Sequence, residues 1–223
     1  MKKKNCRKYF FTILIFFAVL LLASAGVRAA PIVDLFSTGV DNTGQVLSPG
    51  SSEQHYGVSG ASNDAFVVSQ WPTWLTPPAG SAWIGPANGN ISGPDGKYTY
   101  ELTFDLTGLD YNNFVMSGGW ATDNISQIWL NGKDTLFATP LGSAFKMLHS
   151  FALHDGFNQH FNKLEFIVIN ASLGASGDNP TGLLVANLQA SVVPIPGAVW
   201  LFGSGLICLL GLRRTFRSGE KSP

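Results

Sequence analysis

The 223-residue chain reads as an all-β protein, a β-sandwich of the jelly-roll kind held between two apolar ends. Three features carry that reading. About eight short runs have strand-type patterning, Gly, Pro, Asn and Asp clusters separate them, and no amphipathic run of ten or more residues has helical spacing. Strands are expected at 33–37, 64–69, 98–106, 113–118, 126–130, 145–153, 163–172 and 183–193.

The clearest strand is "KYTYELTFDLTG", which puts Tyr98, Tyr100, Leu102, Phe104 and Leu106 on one face and Thr99, Glu101, Thr103 and Asp105 on the other. In "KLEFIVINAS", Leu164, Phe166 and Val168 share one face, while Ile167 and Ile169 add apolar mass to the other, as in a strand covered on both sides. "WLNGK" holds the strongest turn signal, because Asn131-Gly132 suits a tight hairpin that needs positive φ. Trp120 and Trp129 fall in strands and are expected in the core.

Both ends are of another kind. Residues 1–29 combine a basic start (Lys2, Lys3, Lys4, Arg7, Lys8), an apolar stretch and the small residues Ala23, Ala25 and Ala29, the layout of a cleavable signal peptide. Cleavage is expected after Ala29, with 23–25 as the other small-x-small site, so the Sec machinery and signal peptidase are expected partners. Residues 195–212 carry no charge, and at about 1.5 Å per helical residue they span roughly 27 Å, close to the ~30 Å bilayer core. Arg213, Arg214 and Arg217 follow as a basic stop, which places residues 218–223 on the cytoplasmic side. The segment 30–192 is then the exported domain of a membrane-anchored precursor.

Removing the ends exposes an acidic protein. Residues 30–193 hold four lysines against 13 Asp and Glu, a net charge of −9. Such a surface repels phosphate backbones and excludes nucleic-acid binding. Both cysteines, Cys6 and Cys208, lie in the end segments, so the exported domain has neither disulfide nor thiol nucleophile.

Catalytic motifs are sparse. His55, His149, His154 and His160 show no metal-ligand spacing, and no Gly-x-Ser-x-Gly elbow occurs. Asp123, Asp134 and Asp155 fall near expected loops, where Asp is commonly a turn residue. Asp123 and Asn124 in "WATDN" could give oxygens to Ca²⁺, and turn formation is the competing use of the pair. No resident cofactor is expected. The stronger lead is aromatic: Trp71, Trp74 and Trp83 crowd into "QWPTWLTPPAGSAWIGP". Two roles are open to them, an exposed platform that stacks on sugar rings or a lid over the open end of the sandwich, with Trp83 the one expected to be buried.

Two resemblances add to this. "VPIPGAVWLFGSGLICLLGLRR" resembles the PEP-CTERM sorting signal of bacterial exported proteins, also labelled an "ice-binding protein C-terminal domain", in its V-P-x-P and W-L-F-G-S-G form. The residues that match are Val193, Pro194, Pro196, Trp200, Gly203, Ser204, Gly205, Arg213 and Arg214 within 193–217, with Ile195 where the eponymous motif has Glu. The resemblance implies export across the inner membrane, recognition by an exosortase and delivery to the cell surface or the extracellular matrix of a polysaccharide-producing bacterium. No Thr-x-Thr ladder that would match ice accompanies the tail. "IWLNGKDT", "FKMLHSFALHDGFN" and "NKLEFIVINAS" in turn resemble the galactose-binding-like jelly roll found as a non-catalytic accessory domain in glycosidases, with Phe161 in place of the usual Gly. Together they imply a non-catalytic surface protein associated with extracellular polysaccharide or biofilm matrix. A weak glycan hydrolase or lyase and a purely structural matrix component are the alternatives.

Overall fold

A computed structural model describes residues 35–59, 64–88, 90–172 and 178–192. The segments expected to be a signal peptide (1–29), a sorting signal (193–217) and a membrane helix (195–212) lie outside the described residues. Those described form two five-stranded antiparallel sheets. Sheet 1 runs β1 (Tyr56–Ser59), β4 (Gly96–Asp105), β9 (Phe161–Asn170), β6 (Ile125–Leu130) and β7 (Lys133–Ala138). Sheet 2 runs β2 (Phe66–Val67), β3 (Ile84–Gly85), β10 (Gly182–Val192), β5 (Phe114–Asp123) and β8 (His149–Leu153). From β4 onward the chain changes sheet at every connection except the β6–β7 hairpin, a winding of the jelly-roll type.

Period-two patterning makes the core. On β4, Tyr98, Tyr100, Leu102 and Phe104 are buried, and they meet Leu164, Phe166 and Val168 of β9 in register. From the facing sheet, Phe114, Met116, Trp120, Leu183 and Val185 close the same cluster. The hairpin at Asn131-Gly132 forms as expected, with φ of 53° and 76° at the two turn residues.

Several expectations need correction. Residues 35–37 form no strand; they lead into Thr38, which bonds to Val185 at its N–H and hydroxyl. The expected strand at 64–69 shrinks to Phe66–Val67, and that at 145–153 begins only at His149 after a run of turns. The outer face of β9 is covered in part: Ile167 is 9% exposed and Ile169 39%. β1 and β3 were not expected: at four and two residues they are too short for a periodic signal.

A second apolar cluster lies on the outer face of sheet 2. Val68, Trp74, Trp83, Ala121 and Leu184 are buried there, flanked by Trp71, Leu75, Ile91, Phe145 and Leu148. The proline-rich segment between β2 and β3 therefore serves as a lid on that sheet.

Candidate functional site

The lid decides the fate of the loop tryptophans. Trp74 is 3% and Trp83 0% exposed, with ring centroids 4.3 Å apart at 35°. The Trp74 Nε1 donates to Asp123 Oδ2 at 2.8 Å, and Trp83 Nε1 donates to the Leu75 carbonyl at 2.9 Å. Each indole thus has its polar tip satisfied inside the fold, and neither offers a free face to a sugar. The platform role is corrected for both: they seal the outer face of sheet 2. Trp71 is half-buried at the margin of the same cluster.

Asp123 and Asn124 turn out to be a corner. β5 ends at Asp123 and β6 begins at Ile125, so Asn124 alone carries the chain from sheet 2 to sheet 1 across a cis peptide. Asp123 Oδ1 accepts from Asn124 Nδ2 at 2.9 Å, and Asn124 Oδ1 accepts from the Ala171 amide at 2.6 Å. The oxygens considered for Ca²⁺ are engaged in holding this corner, which is the turn role. Burial pushes the Asp123 carboxyl above its usual range, partly countered by the Trp74 hydrogen bond. Among the described residues no three His, Cys, Asp or Glu side chains group as a metal site.

Trp129, an indole not proposed as a site residue, is half-buried and faces outward. In "ISQIWL" the inward positions are Ser126, Ile128 and Leu130, so Trp129 must point away from the core. Trp120 alone of the two strand tryptophans is buried, its Nε1 donating to Ser126 Oγ at 2.8 Å. The alternation within β6 was the signal that places Trp129 outside. Across the sheet, Trp129 is paired with Asp134 on β7 and with Glu165 on β9, and Glu165 is paired with Glu101 on β4. Directly paired residues share a face, so Asp134, Trp129, Glu165 and Glu101 form one row on the outer surface of sheet 1.

Lys163 binds this row together. Its Nζ lies 2.9 Å from Glu165 and 3.3 Å from Glu101. The two carboxylates, Glu165 foremost, raise the lysine above its ordinary pKa. Flanking rows bring Gln127, Ile167 and Thr99, then Ile125, Ile169 and Lys97. The Trp129 Nε1 is buried and without a partner in the fold. The surface is an indole set among apolar and hydrogen-bonding side chains, the mixture that takes up a sugar ring by its C–H face and its hydroxyls.

A cleft of about 390 Å³, which shares Asp134 with this row, opens where the edges β7 and β8 meet, lined in part by Lys133, Asp134, Leu136, His154 and Asp155. Asp134 Oδ1 accepts from the Leu136 amide at 2.8 Å, the turn use expected of it. His149 pairs with Trp120 across β5, its Nε2 buried without a partner, while His160 Nδ1 bonds Thr107 Oγ1 at 2.9 Å.

No family model matches the chain. No curated protein matches it either. Among solved structures it is similar to CBM35 from Paenibacillus barcinonensis at 14% identity and TM-score 0.35, over 62% of this chain and 94% of that one. A second match is the enzymatically active domain of tailspike protein 4 of bacteriophage CBA120, at 14% identity and TM-score 0.35 over 63% of this chain and 20% of that one. A third is the exo-β-1,3-galactanase of Phanerochaete chrysosporium, at 12% identity and TM-score 0.30 over 63% and 30%. At such similarity the matches carry no functional argument.

Proposed function

We propose that the chain is a non-catalytic exported protein of the bacterial surface or extracellular matrix, sorted by an exosortase through its C-terminal signal, whose galactose-binding-like sandwich associates with extracellular polysaccharide. The observation that supports glycan association is the outer face of sheet 1, where Trp129 stands among Gln127, Glu165 and Glu101. The export and sorting part rests on the residues of 1–29 and 193–217.

The test uses the full chain in mild detergent on immobilised polysaccharide from the producing organism. Wild type is expected to be retained and Trp129→Ala, which loses a half-buried ring and so melts somewhat lower, to elute about two- to tenfold more readily at a temperature where both are folded. Retention of the variant equal to wild type refutes the site, and absence of retention by wild type leaves the structural-component reading.

A second reading, glycan hydrolysis or lysis, is favoured by one observation: Asp134 and Asp155 line the same edge cleft. Release of reducing ends from the same polysaccharide, abolished by Asp155→Asn, would establish it.

A further inference from the structure

The charges of the sheet 1 face narrow the class of glycan, taking the glycan reading of that face as given. Asp134 and Glu165 flank Trp129 on the two neighbouring strands, so they stand about 10 Å apart, two inter-strand spacings, with the indole between them. Glu101 extends the row by one strand. Against these three carboxylates the adjoining cation is Lys163, which already bridges Glu101 and Glu165; Lys97 stands two rows away beside Ile169. Among the described residues Asp134 has no ion pair, and its Oδ1 is turned to the Leu136 amide. An aromatic ring with a carboxylate on either side attracts a cation by its quadrupole and by charge, and repels an anion by the same field.

We infer that the polysaccharide accepted here bears free amines, with one ammonium of an amino-sugar unit received over Trp129 between Asp134 and Glu165. A neutral glycan would use the indole and draw nothing from the charge of Asp134, which no cation among the described residues balances. An anionic one would be repelled both by this row and by the −9 charge of the exported segment.

The experiment compares retention of the full chain, in mild detergent, on chitosan-coated beads and on the same beads after complete N-acetylation, with dextran and alginate beads beside them. Retention is expected on chitosan and expected to fall at least tenfold on acetylation. Trp129→Ala should weaken it about two- to thirtyfold. Glu165→Gln and Asp134→Asn should each weaken it about two- to fivefold, and the second leaves the Lys163 bridge intact. Asp178→Asn, an exposed change of equal charge elsewhere, controls for the overall acidity of the domain. If Asp178→Asn loses as much as Asp134→Asn, the attraction is bulk charge and the inference falls. Equal retention on acetylated and free-amine beads also overturns it while leaving the glycan reading standing. Failure on every bead, together with failure on polysaccharide from the producing organism, removes both.

Discussion

Replacing Trp74 by Ala separates a lid from a ligand platform. The side chain is 3% exposed, its ring lies tilted against Trp83 at 4.3 Å, and its Nε1 donates to Asp123 Oδ2 at 2.8 Å. Its packing is close enough that a Cβ added at Gly182 would come within 2.9 Å of the indole. Truncation of a buried Trp costs about 3–5 kcal/mol, and a carboxylate oxygen left without its donor pushes the loss toward the upper end. At about 2–4 °C per kcal/mol for a protein of this size, the melting temperature should fall by about 6–20 °C. Trp74→Phe keeps most of the ring and removes only the N–H, so about 1.5–3 kcal/mol is expected.

The phenylalanine variant also has a pH signature. Asp123 is held above its usual range by burial, so its contribution to folding is fully present below the unfolded carboxyl pKa and fades as pH rises through the folded one. Without the Trp74 donor the folded pKa climbs further. The deficit of Trp74→Phe should therefore be largest at neutral pH and shrink as acid protonates Asp123. Thermal melts followed by circular dichroism across pH measure both effects. An unchanged melting temperature for Trp74→Ala, with lost retention on polysaccharide, refutes the burial argument and returns the ring to the ligand.

Gly39→Ala should destabilise by about 1–3 kcal/mol from overpacking alone, because a Cβ there would lie 2.5 Å from that of Ala82 and the backbone φ is +72°; chemical denaturation reads it, and a neutral result would mean that the 38–39 segment does not dock as described. With Cys6 and Cys208 the only cysteines, the melting temperature of the sandwich should be the same with and without reductant; a clear shift contradicts this. Changing Pro194 and Pro196 together to Ala in a host with an active exosortase should leave an uncleaved membrane-held precursor, seen by intact mass and fractionation; an unchanged mature mass rejects the sorting reading.

Strand identity was legible wherever alternation ran for five or more residues, as in Tyr98 to Phe104 and Leu164 to Val168. It was not legible for β1 and β3, whose pairing comes from neighbours distant in sequence, nor at 35–37, where β propensity yields to the hydrogen bonds that Thr38 makes with β10. The tryptophans show the same division. Density in a proline-rich loop pointed to Trp74 and Trp83, yet the apolar outer face formed by Ala121 and Leu184 needed covering, and only the folded sheet reveals that need. Trp129 was readable from β6 alone once Ile128 and Leu130 are set inward. Its carboxylate neighbours come from β7 and β9, and only the register joins them.

The position of β10 bears on the order in which the molecule can be made. It is the last strand among the described residues, yet it lies between β3 and β5, pairing with Asp123 at one end and Phe114 at the other, and it also anchors Thr38. Until residues 182–192 arrive, sheet 2 is two fragments, β2–β3 and β5–β8, with no ladder between them. A chain emerging from its N-terminus can assemble all of sheet 1 and still present an open seam. Closure of sheet 2 therefore waits for residues 182–192, the strand that joins its two fragments.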